Sequence, residues 1–167
     1  MKKVSLMMFL GILIVFFASY VQADNKAQII MPDSAEKVVS AGQEFGVNII
    51  YDVSDKNSSL TGLGLRIHYD SSALEFMGFS NVLSLNNIGQ TAVAQDDAKD
   101  LDNDASTDKV LLVSWVDISG NWPGSLPLNL VTVNFKAKKA GETLINFTAD
   151  TAAGYSLKTQ SVKVTSY

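Results

Sequence analysis

Beyond residue 24 the chain alternates hydrophobic and polar positions with a period of two, the signature of half-buried strands. Phe45, Val47, Ile49 and Tyr51 share one face, with Glu44, Gly46 and Asn48 on the other. Leu63, Leu65, Ile67 and Tyr69 repeat the pattern against Gly64, Arg66, His68 and Asp70. Val131, Val133, Phe135 and Ala137 form a third set, and Ile145, Phe147 and Ala149 alternate with Leu144, Asn146 and Thr148 in a fourth. Similar patterning predicts strands over 27–31, 37–40, 74–79, 91–95, 109–117 and 160–165. Turn signals separate them at Ala41-Gly42, Asp55-Lys56-Asn57, Asp70-Ser71-Ser72, Gly120-Asn121 and Ala140-Gly141. Helical periodicity is missing, as are internal repeats and linkers. Nine or ten short strands in one unit, 24–167, predict an all-β, two-sheet antiparallel jelly-roll sandwich.

The first 23 residues read differently. Lys2 and Lys3 precede an apolar run over 4–17, and Val21-Gln22-Ala23 fits a small-x-Ala cleavage site. The expectation is a removable export signal over 1–23, because the run is shorter than the roughly 20 residues a spanning helix needs. No stable membrane insertion is expected after its removal. Of 167 residues, 144 then remain, with 11 basic against 17 acidic side chains, a balance of −6. An acidic chain does not suit nucleic acid. The sequence has no cysteine, which excludes a lipoprotein anchor and disulfides, so an exported domain must draw stability from its core or from a metal. A membrane barrel is excluded by the polar stripe Ser161, Lys163 and Thr165 on its last strand. The expected location is secreted or periplasmic, in a bacterium.

Three segments together carry a family resemblance. They are Val39-Ser40-Ala41-Gly42-Gln43-Glu44-Phe45-Gly46-Val47, the run from Gly62-Leu63-Gly64-Leu65 through Tyr69-Asp70-Ser71-Ser72-Ala73-Leu74-Glu75-Phe76, and Leu130 to Ala137 followed by Ala140-Gly141-Glu142-Thr143. In order and spacing they resemble a cohesin-type domain, a nine-stranded jelly-roll related to certain carbohydrate-binding modules. The resemblance implies a non-catalytic module that binds dockerin partners through one face of the sandwich. It also implies polar contact residues just before the Tyr-Asp turn, where this chain has Gly62 and Gly64.

Charge is unevenly placed. Asp96, Asp97, Asp100, Asp102, Asp104 and Asp108 put six of 17 acids within 13 residues, offset by Lys99 alone. Carboxylates at alternate positions let one loop wrap oxygens round a hard cation, which predicts calcium; a solvated acidic loop is the alternative. The spacing is not that of an EF-hand, since Ala105 and Leu111 stand where glycine and glutamate are required.

Four further residues are candidate ligand contacts: Trp122, Tyr155, Arg66 and His68. Trp122 lies in the turn-rich Ser119-Gly120-Asn121-Trp122-Pro123-Gly124, either as a stacking platform for a sugar or as a cap on the core. Tyr155 in Ala153-Gly154-Tyr155 carries the same two readings. Alternation places His68 and Arg66 on the solvent face. Catalysis lacks a cysteine nucleophile, a histidine pair, a phosphate loop and a nucleophile elbow. The expectation is no enzyme, but a binding module for a polysaccharide or a secreted or surface protein. A calcium-dependent matrix component and an unrecognised hydrolase are the alternatives.

Overall fold

The computed structural model describes residues 26–120 and 122–167. The export signal expected over 1–23 lies outside the described residues. Twelve strands form two packed sheets: β1 (Ala27–Pro32), β2 (Glu36–Val39), β3 (Glu44–Val53), β4 (Gly62–Tyr69), β5 (Leu74–Ser80), β6 (Asn87–Gln90), β7 (Gln95–Asp96), β8 (Lys109–Val116), β9 (Leu128–Ala137), β10 (Gly141–Asp150), β11 (Ser156–Thr159) and β12 (Val162–Ser166). One sheet has the order β11-β1-β3-β9-β5, the other β2-β12-β10-β4-β8-β6, with β7 also on β8. No helix among the described residues is long and apolar enough to cross a membrane.

The expected sandwich is therefore present, with two differences. The edge pairs β1/β11 and β2/β12 run parallel, while the other pairs are antiparallel. The strand predicted over 91–95 is not formed: pairing stops after Gln90 and resumes at Gln95, on either side of a bend.

The alternating residues meet between the sheets. Val47, Ile49, Tyr51, Leu63, Leu65, Ile67, Val133, Phe135, Ile145 and Phe147 are buried in one continuous core. Phe135 is its hub, with Tyr69 at 5.1 Å and Phe45 at 6.1 Å between ring centroids, tilted arrangements that aromatic quadrupoles favour. Leu130 and Val131 are adjacent yet both fully buried. The register supplies the reason: Ile49 pairs Val131 and Ile50 pairs Asn129, so Leu130 is the extra residue of a bulge.

Candidate functional site

The outward face of β4 carries Gly62, Gly64, Arg66 and His68. It is flanked by Val110, Leu112, Ser114 and Val116 on β8 and by Asn146, Thr148 and Asp150 on β10. This face divides into two halves with opposite fates.

At the Tyr69 end the face is covered. β7 pairs with the start of β8, so residues 97–108 form a hairpin connection, closed by the Asp97 N–H donating to the Asp108 carbonyl at 3.0 Å. That connection, the acidic loop, folds down over the sheet. His68 is consequently 0% exposed, a correction to its expected solvent position. Alternation gave the right direction for the side chain, and the loop then removed the water.

His68 Nδ1 lies 2.5 Å from Asp97 Oδ2 and 3.9 Å from Asp102 Oδ1, and both carboxylates are 3% exposed. Nε2 meets the Thr148 hydroxyl at 2.8 Å. Asp102 Oδ2 accepts from the Thr107 hydroxyl at 2.8 Å and from the Asn146 amide at 2.9 Å, and Asn146 also donates to Asp104 at 3.2 Å. One ligand atom each from His68, Asp97 and Asp102 fits within a mutual 4.8 Å, a spacing that suits a metal ion.

The six acids therefore do not wrap a single point. Asp96 pairs with Lys109 on the neighbouring strand. Asp108 accepts from the Ser71 N–H at 2.6 Å and its hydroxyl at 2.7 Å. Burial pushes the Asp108 carboxyl up, but the Ser71 hydrogen bonds, its own backbone N–H and the Lys109 charge together hold the group below the usual carboxylate range. Asp104 is also held low, first by the Ser106 hydroxyl and N–H. Asp100 is exposed at a turn. Asp97, Asp102 and Asp104 face the sheet, where the strand residues His68 and Asn146 meet them.

At the Gly62 end the face is open. A groove of about 420 Å³ runs over Gly62 and Gly64, walled by Ile88, Val116 and Ile118 on one side and by Asp150 and Ala152 on the other. Ile118 is 99% exposed, Ile88 66% and Val116 44%. Arg66 sits between the two halves and donates to Asp150 at 2.7 Å.

The remaining expected contacts fall elsewhere. Trp122 is 0% exposed and packs on Tyr51 at 5.2 Å between ring centroids, so no face of its indole is open to a sugar. It belongs to the core, which corrects the platform reading. The Tyr155 hydroxyl donates to Asp55 at 3.0 Å and accepts from the Asn57 amide at 2.9 Å, with Lys26 over the ring. Its polar end is committed to that cluster.

Sequence reasoning missed Asn146, Thr148 and Thr107 as partners of the acidic loop. No local signal marks them: Asn146 lies across from His68 only once β10 pairs with β4.

No family model matches this chain, and no curated protein matches it. Solved structures do. A type I cohesin–dockerin complex from Clostridium thermocellum matches with a TM-score of 0.60 at 11% identity, over 84% of this chain and 95% of the other. The seventh ScaB type I cohesin from Pseudobacteroides cellulosolvens matches at 0.57 and 12% identity, over 84% and 92%. The CaCohA2 module of Clostridium acetobutylicum matches at 0.54 and 17% identity, over 85% and 92%. The fold is the cohesin fold.

Proposed function

We propose that this chain is an exported, non-catalytic module that binds a partner protein, and that the groove over Gly62 and Gly64 is where the partner seats. One observation carries the reading: Ile118, Ile88 and Val116 stand exposed round a concave floor that has no side chains at Gly62 and Gly64. Apolar residues scattered singly over a surface need no explanation, but three gathered round one concavity mark a contact site. Structures of the same fold have been solved with dockerin bound, which supports a protein as the ligand. A polysaccharide is the weaker reading, because the tryptophan that would stack on a sugar is in the core.

Calorimetric titration of a panel of recombinant dockerin modules into the purified chain tests this, beside a glycan array. Saturable dockerin binding that Ile118→Asp removes, with the circular dichroism spectrum unchanged, is the expected result. Glycan binding unaffected by Ile118→Asp, with no dockerin bound, would overturn it.

A further inference from the structure

We propose that His68, Asp97 and Asp102 form a binding site for a borderline divalent metal ion of the zinc class, buried between the acidic loop and the sheet. Acidity of the loop is not the ground for this. The site is centred on an imidazole supplied by β4, a separate element, and fully enclosed.

The first support is charge. Asp97 and Asp102 are nearly sealed from water, and one imidazole faces them both. The cations nearby are used elsewhere: Lys109 pairs with Asp96, Arg66 pairs with Asp150, and Lys99 is exposed. Two enclosed carboxylates against at most one positive ring leave negative charge in a low-dielectric place, where compensation is needed most. A divalent ion at Nδ1 supplies it.

The second support is the outer ring of contacts. Metal-bound histidine holds its far nitrogen on a fixed partner, which sets the tautomer. Here Nε2 has the Thr148 hydroxyl at 2.8 Å, a partner able to accept Nε2–H when a metal takes Nδ1. Asp102 is oriented in the same manner, with Oδ2 held by Thr107 and Asn146 and Oδ1 left towards His68.

Donor chemistry selects the metal. One imidazole nitrogen and two carboxylate oxygens are three donors of the types zinc binds at about 2.0–2.2 Å, with a fourth position left for water. Calcium takes 6–8 oxygens and gains little from nitrogen. The 2.5 Å hydrogen bond of the metal-free pair opens to admit the ion.

The test is isothermal titration of Zn2+ alone into EDTA-stripped, dialysed protein, with Ca2+ alone as a parallel titration and Co2+ absorption to report nitrogen ligation. One Zn2+ per chain is expected, with affinity falling at least about tenfold in Asp97→Asn and in His68→Gln. Asp100→Asn, an exposed neighbour outside the triad, should bind like the parent. Circular dichroism of each variant separates loss of the site from loss of the fold, and Asp97→Asn keeps the shape of the side chain. Absence of Zn2+ binding at millimolar concentration would overturn the proposal. So would equal weakening by Asp100→Asn, or Ca2+ binding that excludes Zn2+.

Discussion

His68 Nδ1 and the Asp97 carboxylate meet at 2.5 Å on the outward face of a sheet, a place that alternation alone gives to solvent. The pair joins the acidic loop to the strand beneath it. Removing the imidazole leaves two enclosed carboxylates without the ring nitrogen that faces them, and stripping a buried charged group of its partner costs on the order of 3 kcal/mol. His68→Ala is expected to lower stability by about that amount and to release the loop. Urea unfolding measures the first effect, and faster protease cleavage within residues 97–108 measures the second.

Trp115 and Trp122 are both fully buried, yet they differ at the indole nitrogen. Trp115 Nε1 donates to the Leu83 carbonyl at 2.9 Å, while Trp122 Nε1 has no partner among the described residues. Trp115→Phe loses volume and strands a carbonyl. Trp122→Phe loses similar volume but removes an unsatisfied donor, which costs roughly 1–3 kcal/mol to bury. The expected order is a clear loss for Trp115→Phe and a smaller one for Trp122→Phe, read from denaturant midpoints. Trp122→Ala, by contrast, should cost about 3–5 kcal/mol through lost apolar burial and the cavity left behind.

This contrast shows where the sequence was readable. The core faces of β3, β4, β9 and β10 were legible because each side chain's direction is set by its own backbone and a period of two. Leu130 broke the pattern, since a bulge depends on the partner strand. His68 was misplaced, and the two readings of Trp122 were left undecided, for a related reason. Whether water reaches a side chain is decided by what a distant loop does, and no local period records that. The acidic loop itself was legible as a concentration of charge. Its targets, His68 and Asn146, were not, because strands β4 and β10 become neighbours only through the sheet order.

The two glycines that floor the groove should respond in opposite ways. Gly62 has φ +146, and a Cβ there would lie 2.2 Å from the Trp115 carbonyl oxygen. Backbone must move to admit it, so Gly62→Ala is expected to cost roughly 3 kcal/mol of stability. At Gly64 the nearest atom to an added Cβ is Asp150 Oδ2, at an ordinary 3.6 Å. Gly64→Ala should therefore fold with an unchanged unfolding midpoint while raising the groove floor. Weaker partner binding by this variant, at parental stability, ties recognition to the groove; parental affinity would place the contact elsewhere.

Tyr51 and Tyr69 supply the last expectation, at alkaline pH. Burial pushes both phenols up to about 12, against the Gln28 hydrogen bond at Tyr51 and aided by Asp108 at Tyr69. In the unfolded chain each ionises near the ordinary value of about 10. The folded state therefore holds these protons more tightly. The stability they contribute is fully present below pH 10 and is lost as pH rises from there towards 12. Phenolate absorbance of the native protein should show these two tyrosines titrating late, and denaturant midpoints should fall across the same window. Tyr51→Phe removes one of the two groups, so the alkaline loss should become shallower; an unchanged slope would place the sensitivity outside the core.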